Sequence, residues 1–215
     1  MQSTDYTRAM VRRADKASVP PGRSSRPSGR VEVTEALLDA AEVELLRHGA
    51  DASVRRIAAA AGVNHGLVHR HFGAKANLVA AVLARLARQA AAQLDGASEL
   101  DGASQLDLLV ADGPVARHLR IVARLLLDGE DVGALQPDHP AIAALVGRAL
   151  RDGDVAPERA RASVAQAVAL LFGWQLFEPF LLDATGASLE GARADLPRAV
   201  AALALRGPRG DRVTG

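Results

Sequence analysis

The chain has 215 residues, a formal net charge of +1, and 49% hydrophobic and 24% charged residues, enough to bury a core in one large or two small domains. The absence of cysteine excludes a disulfide-stapled scaffold, a thiolate zinc site and a cysteine nucleophile, and an aromatic share of 3% argues against a β-sandwich or barrel. No amino-terminal apolar signal is present, and the longest uncharged apolar run, Ala167 to Trp174, falls short of the ~18 residues of a membrane span. A soluble cytoplasmic protein is expected.

Residues 1–30 hold seven basic groups against Asp5 and Asp15, together with Pro20, Pro21, Pro27 and several glycines and serines. Without apolar periodicity such a segment reads as a disordered basic arm. It is either a follower of a phosphate backbone or a solvated leader. Arginine outnumbers lysine heavily, but that bias also fits a GC-rich genome and says little about partners.

From Val31 onward the pattern is helical. Leu37, Leu38, Ala41, Leu45 and His48 form one apolar stripe ending at Gly49. Ser53 is placed to cap a short helix with Ile57, Ala58 and Ala61 on its inner face. Gly62-Val63-Asn64 breaks the pattern, and Asn64 can cap a second short helix through Phe72, with Val68 and Phe72 inward. A longer helix starts near Ala74 and carries Leu78, Val82, Leu83 and Leu86. Two short helices joined by a tight glycine-containing turn, after a longer packing helix, make a helix-turn-helix pattern.

The tandem DGAS at 95–105 reads as a loop. Helices are expected near 106–128, 140–151, 157–183 and 189–205, with Pro140 and Pro157 at starts and Gly153 and Gly186 at stops. Pro179 should kink or interrupt the third of these. Phe172, Trp174, Phe177 and Phe180 crowd that helix, which is apolar around most of its girth.

The stretch from Thr34 to Val82 resembles the amino-terminal domain of the TetR family of bacterial transcriptional regulators. The carrying residues are Leu37 to Ala41, His48-Gly49, Val54 to Ala58, Ala61-Gly62-Val63, Gly66-Leu67-Val68 and Arg70 to Lys75. The chain departs from the family at His69, where tyrosine is usual, at Asn64, where serine or threonine is usual, at Ala74, where serine or asparagine is usual, and at Thr34, where a basic residue is often found.

The resemblance implies an all-α protein: a helix-turn-helix DNA-binding domain over 31–76, then a helical ligand-binding and dimerisation domain over 77–215. It implies a recognition helix from Asn64 to Phe72 in the major groove. There His65, Gly66 and Leu67 would face base edges, and Arg55 would reach a base or phosphate. Ser53, Asn64, His69, His71 and Lys75 would contact phosphates, supplemented by Arg56 and Arg70. It further implies a homodimer through 157–183 and 189–205 on a palindromic operator in double-stranded DNA, and release of repression by a small-molecule effector.

A pocket for that effector could draw on Leu83, Leu86, Val122, Leu126 and Trp174, with His118, Gln175 or Glu178 as polar partners. Simple core or interface packing explains the same residues. No cofactor, metal or membrane partner is expected: His65 and His69 stand at ligand spacing, but no carboxylate or thiolate completes a local set. No nucleophile elbow, P-loop or dinucleotide motif points to an enzyme. A helical small-molecule-binding or scaffold protein with weakened DNA binding stays open as the alternative.

Overall fold

The computed structural model describes Pro27 and residues 29–96, 112–152 and 156–205. Most of the expected basic arm, the segment 97–111 with the second DGAS, and Gly153 lie outside the described residues. Among those described, the regular structure is entirely helical: α1 Arg30–His48, a 3₁₀ turn Gly49–Asp51, α2 Val54–Ala60, α3 His65–Phe72, α4 Lys75–Gly96, α5 Pro114–Leu127, α6 Val132–Leu135, α7 Pro140–Asp152, α8 Pro157–Thr185 and α9 Leu189–Leu205.

The described residues form two compact units. The first gathers the chain through Leu86 with Arg117–Asp138, and the second the remainder. In the first, Leu37, Ala41 and Leu45 of α1 meet Ile57 and Ala58 of α2, Val68 of α3, Leu78, Val82, Leu83 and Leu86 of α4, and Ile121 and Leu125 of α5 in one core. The three- and four-residue spacing of these side chains aims each helix's apolar stripe at that core.

Local chemistry sets the boundaries. The Ser53 side chain accepts a hydrogen bond from Arg56 N–H at 3.2 Å, and Asn64 Oδ1 accepts one from Gly66 N–H at 2.8 Å, satisfying backbone donors at the starts of α2 and α3. Gly62, at φ 69°, supplies the left-handed residue that turns α2 into α3. One-turn α6, which the apolar pattern does not announce, is capped by Asp131, whose Oδ1 accepts from Ala134 N–H at 3.0 Å.

Gly49 is required twice over. Its φ is 55°, and a Cβ there would run into the Asp128 and Arg124 side chains of the α5 end. Both polar groups of the next residue are held from that side and another: Asp128 Oδ2 accepts from Ala50 N–H at 2.8 Å, and Lys75 Nζ donates to the Ala50 carbonyl. A charged cluster reinforces the same unit. Arg85 meets Asp39 at 2.7 Å, Glu42 at 2.8 Å and Glu35 at 3.5 Å, and Glu42 also meets Arg117 at 3.3 Å.

In the second unit α8 packs against α7 and α9, burying Ala160, Val164, Ala167, Leu171, Trp174 and Glu178. Glu178 pairs with Arg193 of α9 at 3.5 Å. Pro179 does not interrupt α8, contrary to the break that its place in the sequence allows. Proline removes one N–H from the ladder, and the helix continues through it from Phe177 to Thr185. The helix ends instead at Gly186, whose φ of 68° is left-handed. By length and composition alone α8 is apolar enough to cross a bilayer, although Glu178 divides its uncharged stretch.

Candidate nucleic-acid interface

Within the first unit α2 and α3 present a short polar surface on an apolar base. Val68 is the one buried residue of α3, while Phe72 and Leu67 are half-buried against the core. Asn64, His65, Gly66, His69 and Arg70 are exposed, as are Ser53 and Arg55 on the α2 side; His71 and Lys75 are half-buried. The helix therefore offers its amino-terminal turn and one flank outward. That is what base reading requires of an element anchored from behind.

The hydrogen-bond donors left over decide what this surface offers a polyanion. Ser53 and Asn64 act as caps through acceptor atoms, so the Ser53 hydroxyl proton and the Asn64 amide protons remain for an outside acceptor. Lys75 gives one N–H to Ala50, and an ammonium has three. Arg55 and Arg70 make no ion pair among the described residues, and each is a planar fork suited to guanine or phosphate. Arg56 is drawn to the buried Glu44, at 3.6 Å, which also receives His48 at 3.8 Å; this ties α2 to α1.

Two histidines behave differently. His69 Nδ1 lies 3.0 Å from the Gly73 carbonyl, closing the end of α3. His71 Nδ1 lies 3.0 Å from Thr34 Oγ1 of α1, and the Thr34 hydroxyl donates to the Arg30 carbonyl at 2.8 Å. Sequence reasoning placed both rings at phosphate positions but had no signal for these partners, which stand 37 residues apart in the Thr34–His71 case. Among the described residues no group of three His, Asp or Glu is placed to hold a metal ion.

The residues named for an effector pocket divide between the units. In the first, Leu83 and Leu86 are fully buried in the core, Val122 packs on its edge, and Leu126 is 55% exposed. His118 Nε2 meets Gln136 Oε1 at 2.8 Å, an orientation fixed by the Gln136 amide donating to the Asp138 carbonyl. In the second, Trp174 and Glu178 are buried and Gln175 half-buried. A cavity of about 140 Å³ in the first unit is lined by Leu45, Ala50, Lys75, Ala76, Val79, Leu125, Glu130 and Leu135, none of them in the expected set.

Residues 37–82 match the family model described as bacterial regulatory proteins, tetR family. Over 167 residues the chain is 43% identical to the HTH-type transcriptional repressor Rv3405c of Mycobacterium tuberculosis, covering 76% of this chain and 83% of that one. It is equally similar, over the same shares, to the HTH-type transcriptional regulator Mb3439c of Mycobacterium bovis. A solved TetR-family regulator from Streptomyces coelicolor A3 is 24% identical, with a TM-score of 0.43 over 84% of this chain and 99% of that one. The capped pair α2–α3, its exposed polar face and these relatives agree: the chain belongs to the TetR family and is a DNA-binding transcriptional regulator.

Proposed function

We propose that the protein is a cytoplasmic, non-enzymatic repressor that binds a palindromic operator as a homodimer and leaves it when a small molecule binds. The observation that carries the DNA part is the anchoring of α3 by Val68 beneath an exposed His65, Gly66 and Arg70. On this reading His65, Gly66 and Leu67 meet base edges, Arg55 and Arg70 reach bases or phosphates, and Ser53, Asn64, His69, His71 and Lys75 fix register on the backbone. Repression follows the name of the Mycobacterium tuberculosis relative.

The dimer is supported by α8 and α9, which leave Phe177 48% and Phe180 55% exposed along with Leu181 and Leu189. A second copy covering that face would form a bundle of four helices and present two reading helices to successive half-sites. Effector release requires a ligand that prefers the DNA-incompetent arrangement. Its binding domain is the helical part after residue 76.

The test is selection of duplexes by the full-length protein from a random pool, followed by titration of the winner. Arg55→Ala should weaken binding by about 1–3 kcal/mol and relax preference at one base position in each half-site. Equal loss on every sequence would make Arg55 a phosphate contact, and no loss would remove it from the interface.

A further inference from the structure

We infer that DNA binding by this chain is coupled to proton uptake, because His69 and His71 can donate to phosphate only as imidazolium ions. The inference deepens the phosphate-contact reading above and rests on it. Thr34 and the Gly73 carbonyl act as positioning groups that dictate which ring nitrogen carries the proton.

The argument is a count of protons. A hydroxyl has one, and Thr34 gives its own to the Arg30 carbonyl at 2.8 Å. Thr34 Oγ1 can therefore only accept from His71, so the ring proton of neutral His71 sits on Nδ1. The Gly73 carbonyl has no proton to give, so neutral His69 likewise keeps its proton on Nδ1. In both neutral rings Nε2 carries a lone pair, which repels a phosphate oxygen. A proton taken from solvent converts each Nε2 into a charged donor while leaving the Nδ1 bond intact.

The other outward groups of this surface do not share the constraint. Ser53, Asn64 and Lys75 retain donors at neutral pH after their internal bonds are made. The elements packed with α3 carry Arg30, Glu32 and Glu35 on the first turns of α1, Arg55 and Arg56 on α2, and Lys75 on α4, beside His65 and Arg70 on α3 itself; Glu35 faces Arg85, Arg56 faces Glu44, and Lys75 turns to Ala50. No carboxylate forms an ion pair with His69 or His71 among the described residues, so the phosphate itself is the anion that stabilises the charged ring. The sign follows: the DNA-bound state holds more protons than the free protein, so the association constant rises as pH falls through the histidine range.

The experiment uses the full-length protein and a duplex it selects from a random-sequence pool. Its affinity is measured at fixed salt between about pH 6 and pH 8, the span over which a histidine changes charge. The wild type should tighten on the order of tenfold per histidine on going from the higher to the lower value. The double variant H69Q/H71Q carries neutral amide donors at these two positions at all these values and should lose the larger part of the slope, keeping only the share of the exposed His65. Thr34→Val frees the His71 tautomer and should remove only that ring's share of the slope, whereas Thr34→Ser keeps the hydroxyl and should retain it.

Calorimetry in buffers of different ionisation enthalpy should show proton uptake by the wild type and a smaller uptake by the double variant. Equal slopes for the wild type and H69Q/H71Q overturn the proton coupling while leaving the interface in place. If Arg55→Ala and Arg70→Ala leave the affinity of this duplex unchanged, the interface reading itself falls.

Discussion

The two units close their apolar surfaces to different degrees. In the first, the largest fully buried side chains of the molecule, Leu37, Leu45, Ile57, Leu78, Leu83 and Leu86 among them, interlock in one core. In the second, α8 buries one side on α7 and α9 and leaves Phe177, Phe180 and Leu181 in contact with solvent. A single chain satisfies the reading head and leaves the long helix with apolar area to spare. Such a surplus marks an interaction surface more often than a defect. The first unit closes its core within itself, and the second is the one on which the proposed dimer rests.

The sharpest way to break this comparison is to empty the head's core. Leu37→Ala should cost about 2–5 kcal/mol in a urea melt, through lost burial and a residual cavity. A cost below that range would mean that the α1 core closes around the gap and is not the firm base described above. Phe180→Glu addresses the other side. It places a charge on the proposed dimer face and should weaken self-association on the order of a hundredfold in sedimentation equilibrium, because a charge buried without a partner is costly. An unchanged monomer–dimer equilibrium would move the dimer surface elsewhere.

The smallest expected effect concerns the joint at Gly49. Gly49→Ala forces a side chain into a left-handed residue pressed by Asp128 and Arg124 and should cost about 1–3 kcal/mol in the same melt. A neutral result would show that the α5 end can retreat from this loop without loss.

The head was the more legible region, and for a physical reason. Its boundaries depend on contacts within four residues: Ser53 with Arg56, Asn64 with Gly66, and the backbone of Gly62. Local chemistry of that kind is written in the order of residues. The long-range side-chain bonds were not legible, because nothing in a helical period says that Lys75 reaches Ala50, that Arg85 gathers Asp39 and Glu42, or that His71 meets Thr34.

The cap at Asp131 was readable in principle, since an aspartate before Val-Gly-Ala is a known helix opener; the single turn it starts is too short to show a period. In α8 apolar residues lie around most of the girth, which hid both which side is buried and how the helix passes Pro179. Leu126, named as a possible pocket residue, is exposed, because an apolar side chain in a helical stretch does not by itself say which side of the helix faces the core.

The attachment of α3 has an evolutionary corollary. One deeply buried side chain, Val68, and two half-buried neighbours hold the helix, while His65, Gly66 and Arg70 contribute nothing to the core. Substitutions at those outward positions are almost free of folding cost, so on the proposed reading descendants of this chain can drift from one DNA target to another while the scaffold stays the same.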